Sequence, residues 1–418
     1  MNIWYLNHYA TPPPYGVSGR PYSLAINLER LSHKVTVICA SFHHLRQQAA
    51  PPDDHYYCHN YDGVHYYHLP VRHYRGNGLG RMMNMLDFSK EIKQLFRKID
   101  CGELARPDIM IPSCVHPLVF PPAYWLAKKY DAKLIYEVRD IWPLSLVELS
   151  GVSSMHPVVL WFQWIEKRAY RHANAVVSLL PNALQHMVSL GLDERKFYFI
   201  PNGINRKEWE SPLVTLPEEH QKVFQQLKDQ GKLIVLYAGA HGPPNALDQV
   251  LDLARLGKGQ DRPYHFVLIG EGVEKEKLMQ RVKEGSITFV TFLPRISKQQ
   301  VISALNLADV CFIGWQKKMI YKFGTSPNKL CDYFMSAKPV LNALDATDND
   351  PVRKARAGII VEPYNALSLE DALQRFCAMS EEERKEMGEN GQRYAMKNLD
   401  WEVLGKQYVA ICESLHDA

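Results

Sequence analysis

The stretch Leu233-Ile234-Val235-Leu236-Tyr237-Ala238-Gly239-Ala240-His241-Gly242-Pro243-Pro244-Asn245 joins six apolar residues to a loop rich in Gly and Pro. A short apolar run closed by Gly reads as a buried parallel strand that feeds a tight turn ahead of a crossover helix. The same logic stands at the start of the chain. Ile3 to Leu6 reads as a strand, Pro12-Pro13-Pro14-Tyr15-Gly16-Val17-Ser18-Gly19-Arg20 as its loop, and a helix from near Pro21 carries Leu24, Leu28 and Leu31 on one face. The chain therefore starts one alternating scheme and restarts it.

Outward from these two points, short apolar runs alternate with helical patterns, as in parallel sheets with crossover helices. The first series predicts further strands at 34–40, 109–111, 133–138, 175–180 and 197–200. The second predicts 265–269, 287–292, 310–313 and 339–341, with helices beginning near Asn245, Glu274, Ser297 and Pro327. Pro201-Asn202-Gly203-Ile204-Asn205 closes the first series. The expected fold class is α/β: two Rossmann-like, doubly wound domains, 1–206 and 207–397, facing a central cleft where such sheets bind ligands. Trp401, Leu404, Tyr408 and Ile411, at helical spacing, predict a C-terminal helix over 398–418 that packs back on the first domain.

The 418 residues, 46% hydrophobic and 22% charged, have ordinary globular composition, which excludes collagen-like and low-complexity chains. No apolar run is long enough to span a bilayer. The N-terminus reads as a strand, not a signal peptide, and eight cysteines without a CxxC pair read as buried thiols in a reducing, cytoplasmic setting. The net charge of +4 divides into +6 before residue 207 and −2 after it. The segment 72–98 holds seven basic and two acidic residues among Leu79, Met82, Met83, Met85, Leu86 and Phe88. It reads either as a surface helix with core contacts or as a patch for an anionic membrane, on the inner face of the cell membrane. No recognition motif for nucleic acid accompanies the modest basic excess.

Both Gly loops suit an anion, because glycines let a backbone approach closely and a helix N-terminus offers free N–H groups; each also reads as a plain tight turn. Gly16, Ser18, Gly19 and Arg20 in the first and Gly239 and Ala240 in the second are candidate donor contacts. Ser326-Pro327-Asn328-Lys329-Leu330-Cys331-Asp332 is more informative. Pro327 fits a first helical turn, which leaves Asn328 and Lys329 at its positive end, with Asp332 one turn on and placed for ribose hydroxyls. The histidines at 43, 44, 55, 59, 65, 68 and 73 read as a surface region, since 65 and 68 point to opposite faces of one strand. His8 follows the first strand and is placed to reach the cleft.

Taken in order, the Gly loop, Glu137-Val138-Arg139-Asp140-Ile141-Trp142-Pro143, Ile200-Pro201-Asn202-Gly203, Tyr237-Ala238-Gly239, Leu268-Ile269-Gly270-Glu271-Gly272 and Ser326 to Phe334 make the chain resemble the retaining glycosyltransferases of family 4, of the GT-B fold. Within them it is most similar to enzymes that extend lipid-linked O-antigen or capsule oligosaccharides, the fucosamine-transferase-like group. The resemblance implies a nucleotide-sugar donor, with a UDP-sugar expected, held by the second domain through Ser326, Asn328, Lys329, Leu330 and Asp332, with Arg295 at the base or phosphate. It implies a lipid-linked glycan acceptor at the first domain, with Arg139, Asp140 and His8 near the reacting sugar. No cofactor and no divalent metal are expected, for want of an Asp-x-Asp loop. Arg139 also reads as a structural partner of Glu137 or Asp140.

Two departures from the family pattern stand out. The first of two glutamates found in many relatives falls on Gly324, and an Arg and a Lys common in the second Gly loop fall on Ala240 and Asn245. Phosphate charge is then left chiefly to Lys329 and helix ends. A sugar-nucleotide epimerase or hydrolase, or a non-catalytic nucleotide-sugar-binding subunit, remain the alternative readings.

Overall fold

A computed structural model describes residues 1–16, 19–44, 46, 56–76, 78–257, 261–345 and 348–417. The chain forms two compact units, Met1–Asn202 with Trp401–Ala418, and Gly203–Asp400. Among the described residues no helix is long and apolar enough to cross a membrane.

The first unit is built on eight strands: β1 (Asn2–Leu6), β2 (Lys34–Ala40), β3 (Tyr57–Tyr61), β4 (Val64–Leu69), β5 (Ile109–Cys114), β6 (Lys133–Val138), β7 (Ala175–Ser178) and β8 (Phe197–Phe199). Their order is β3-β4-β2-β1-β5-β6-β7-β8, and among the described residues only the β3–β4 hairpin, absent from the sequence-based expectation, is antiparallel. The second unit has six parallel strands: β9 (Leu233–Ala238), β10 (Tyr264–Ile269), β11 (Val290–Leu293), β12 (Val310–Gly314), β13 (Val340–Ala343) and β14 (Gly358–Val361). Their order, β11-β10-β9-β12-β13-β14, reverses direction at β9, so the β9 loop lies at the switch point where doubly wound sheets hold ligands.

The central strands are apolar on both faces, as parallel strands covered by helices must be; Leu233–Ala238 has all six residues buried. The C-terminal helix Trp401–His416 buries Trp401, Leu404, Tyr408 and Ile411 in the core of the first unit, beside Leu24 and Leu28 of the helix Arg20–Arg30.

At the centre of that unit sits a charge. Glu137 of β6 is fully buried. Its carboxylate accepts from the Tyr5 hydroxyl at 2.5 Å, the Ser113 hydroxyl at 2.8 Å, the Arg20 guanidinium at 2.9 Å and the Tyr408 hydroxyl. Arg20 also donates to the carbonyls of Pro201 at 2.5 Å and Ile200 at 3.1 Å, and lies over the rings of Trp401 and Tyr408. Burial pushes the Glu137 carboxyl up, but Arg20, Tyr408 and Tyr5 outweigh it and hold it below the ordinary value of 4.5. Arg20→Ala, which leaves this charge unpaired, is expected to cost about 3–5 kcal/mol, and Tyr408→Phe about 1.5–3 kcal/mol, in denaturant unfolding at neutral pH. Because the folded value is depressed, the wild type keeps the Glu137 contribution above about pH 4.5 and loses it as pH falls through the lower folded value. Glu137→Gln should lack that acid loss.

Candidate nucleotide-binding site

The second Gly loop and the helix Asn328–Met335 meet at the end of β9. Pro327 sits just before that helix in an extended conformation and makes no side-chain cap to it, and a helix N-terminus offers backbone N–H groups to an anion. The Tyr333 hydroxyl accepts from the Ala238 amide at 3.1 Å and ties helix to strand. From the first turn, Lys329 reaches under the loop. Its ammonium donates to the Tyr237 hydroxyl at 3.0 Å and to Asn245 Oδ1 at 2.5 Å, and lies 4.4 Å from the Tyr237 ring centroid. Tyr237 and Asn245 in turn donate to the Ala240 carbonyl at 2.7 and 2.9 Å. Gly239, at φ 158°, suits the close approach here: a Cβ would stand 3.1 Å from the Tyr237 hydroxyl, which would have to give way.

Burial alone pushes Lys329 down to about 7, and no carboxylate stands among the groups that act on it. An ammonium has three donors, and two are spent on neutral partners. This is an uncompensated cation with a donor to spare beside a helix N-terminus, which is what an oxyanion requires.

Asp332, one turn on, is ion-paired to Lys298, the first residue of the helix Lys298–Leu307. Burial pushes its carboxyl above the ordinary value despite Lys298. Glu208 is raised too, by burial first and by Asp332. The second unit thus gathers Glu208, Lys298 and Asp332. Next to the Gly loop, His241 is fully buried with both ring nitrogens unpartnered, and burial and Lys275 push it down to about 4. Lys275 grips the Glu271 carboxylate at 2.6 Å.

Gly239, Ala240 and Lys329 therefore converge; Asn328 stands exposed as the first residue of the helix, and Ser326 lies two residues before it. Leu330 does not join them: its side chain is buried in the core and its amide is taken by the Pro327 carbonyl at 3.1 Å. Arg295 is exposed, with its backbone amide turned to the Glu271 carboxylate. In the first unit, Arg20 is not a loop cation, because the buried Glu137 claims it. Gly19 precedes the helix Arg20–Arg30, and a Cβ there would meet nothing within 4 Å. Gly16 ends the short turn Pro13–Tyr15, and Ser18 lies outside the described residues. His8 is fully buried, with Nδ1 2.7 Å from His116 Nε2 and its ring stacked on Phe88, so burial holds it neutral inside the fold. Arg139 is half-buried and Asp140 exposed at the end of β6; Glu137 is ion-paired to Arg20, and the Arg139 charge acts to lower both the Glu137 and the Asp140 carboxyl. Among the surface-assigned histidines, His43 and His68 are buried, His65 is exposed, and His55 lies outside the described residues. Sequence reasoning missed Lys298, Lys275, His241 and Glu208; the Ser297 to Gln300 capping box marks where Lys298 sits but not what it meets. Among the described residues no group of three or more His, Cys, Asp or Glu is placed to hold a metal.

Two Rossmann-like sheets, one ending in a glycine loop over a lysine with no acid partner, define a doubly wound α/β protein of two units. Residues 16–203 match the glycosyl transferase 4-like domain and residues 218–394 the glycosyl transferases group 1 domain. The chain thus carries two glycosyltransferase domains in succession and has the GT-B fold. Sucrose-phosphate synthase (tll1590) from Thermosynechococcus elongatus superposes with a TM-score of 0.73 at 16% identity, covering 99% of this chain and 98% of that one. HepE of Anabaena in complex with UDP-glucose gives 0.63 at 15% identity over the whole of both chains. Adenine deaminase from Pseudomonas syringae pv. syringae (strain B728a) is 30% identical over 115 residues, 27% of this chain and 33% of that protein; the chain spans about a third of the length of that curated relative.

The depressed Lys329 value carries a sign. The folded second unit binds fewer protons than the unfolded chain between about pH 7 and the ordinary 10.5, so wild-type stability should rise with pH across that window relative to Lys329→Met, as measured by thermal melting at several pH values.

Proposed function

We propose that the protein is a retaining glycosyltransferase that moves a sugar from a UDP-sugar to a lipid-linked glycan in surface-polysaccharide assembly, without a divalent metal. The observation that carries this reading is Lys329: a half-buried cation with no acid partner among the described residues, in the first turn of a helix and under the Gly239 loop. A nucleoside diphosphate supplies the missing negative charge. Asp332 then faces the ribose, exchanging part of its contact with Lys298 for sugar hydroxyls. The complex of HepE with UDP-glucose supports a UDP-sugar as donor, and the chain's resemblance to O-antigen-type enzymes, carried by its motifs taken together, supports the lipid-linked acceptor.

In this scheme the bond from the anomeric carbon to the β-phosphate oxygen breaks. The acceptor hydroxyl attacks from the same face, and the departing phosphate oxygen takes its proton. Lys329 and the helix amides stabilise the charge that develops on the leaving group. Arg139 and Asp140, at the end of β6, are assigned to the transferred sugar.

Calorimetry with UDP, GDP, CDP and dTDP in chelator should show selective UDP binding, weakened roughly tenfold to a hundredfold in Lys329→Ala. Turnover of UDP-sugar with a lipid-linked acceptor should persist in chelator. Absence of binding by all four nucleotides, or turnover restored only by manganese, overturns the reading.

A further inference from the structure

The helix Pro157–His172 presents two contrasting faces. Val159, Phe162, Ile165 and Ala169 are buried in the first unit. The opposite rows, at i, i+3 and i+4 spacing, carry Leu160, Trp161 and Trp164, exposed by 44, 40 and 54%, and then Lys167, Arg168 and Arg171. Met155, 74% exposed, extends the apolar end. Two indoles facing water beside other large apolar side chains mark an interaction surface. The basic end is dense. Arg168 lies 4.9 Å from the Trp164 ring centroid. Lys128, Arg168, Arg171 and Lys196 all bear on His172, which burial and these cations lower, and no carboxylate stands among them.

We infer that this helix face docks on an anionic lipid bilayer. Indoles settle at the headgroup level with an apolar body and a polar edge, and Lys and Arg lay apolar stems on the acyl boundary while their heads meet lipid phosphates. A surface helix with an aromatic-aliphatic row continuous with an unneutralised basic row has the chemistry of in-plane membrane binding. The segment 72–98 fits this role less well. In its helix, Leu79–Asp100, the residues Met85, Phe88, Ile92 and Leu95 are buried in the fold. Arg72 and Lys98 are paired with Asp87 and Glu103, and Lys93 lies over Trp125.

Flotation of the full chain with vesicles tests the assignment without donor or acceptor, so its outcome is separate from that of the transfer reaction. The protein should float with vesicles of equal parts phosphatidylglycerol and phosphatidylcholine and not with phosphatidylcholine alone. Trp161→Ser with Trp164→Ser, and independently Arg168→Glu with Arg171→Glu, should each weaken binding by roughly tenfold or more. Arg75→Glu with Lys90→Glu should leave it unchanged. All four substituted positions on the helix are exposed, so wild-type melting is expected of both variants, and either pair alone decides. Brominated lipid should quench wild-type tryptophan emission more than that of the tryptophan pair variant. No flotation, wild-type flotation by the helix variants, or loss confined to the Arg75 and Lys90 variant overturns the proposal. Patch-dependent self-association without vesicle binding also overturns it and assigns the face to a second copy.

Discussion

A fully buried carboxylate is among the costliest groups a fold can hold, and Glu137 stands at the centre of the first unit. Its position forces the arrangement around it. Hydroxyls from β1 and β5, a guanidinium from the first helix and a hydroxyl from the C-terminal helix must all arrive within hydrogen-bonding distance, since any one left out exposes the charge to an apolar interior. Arg20 passes the constraint on to the carbonyls at 200 and 201, where the first unit ends. The return of residues 401–418 to this unit is therefore an electrostatic requirement as well as an apolar one. Trp401 and Tyr408 supply both, as ring surfaces over Arg20 and, for Tyr408, as a donor to Glu137.

The second unit poses the opposite problem. Lys329 is half-buried among neutral groups with no acid to answer it, and burial pushes its ammonium down to about 7. Titratable groups perturbed in this way cluster at functional sites. Where Glu137 rigidifies, Lys329 waits: the first charge is spent wholly inside the protein and the second retains a donor. The Glu208, Lys298 and Asp332 cluster lies between these extremes, since its single cation serves two carboxylates, both raised by burial.

Much of this was legible in the chain. Apolar runs closed by glycine marked the switch-point strands, and the Ser-Pro-Asn-Lys entry placed Lys329 and Asp332 on one helix, because strand burial, proline at a helix start and glycine in a turn are local properties. Arg20 was legible as a cation beside a Gly loop but not as the partner of Glu137. His8 was legible as the residue after β1 but not as one sealed by Phe88 and His116. The β3–β4 hairpin escaped notice because its strands mix tyrosine and histidine without clean alternation.

By itself, then, the sequence determined the alternating α/β order, the two glycine loops and the helix that bears the candidate site, since each rests on neighbours a few residues apart. Only the tertiary structure decided which charges are spent and which are free. The pairs concerned, Arg20 with Glu137, Tyr408 with Glu137 and Lys298 with Asp332, are separated by 117, 271 and 34 residues. No local periodicity encodes them. They arise because burial in a shared core makes an uncompensated charge too costly unless a partner from elsewhere in the chain is brought to it.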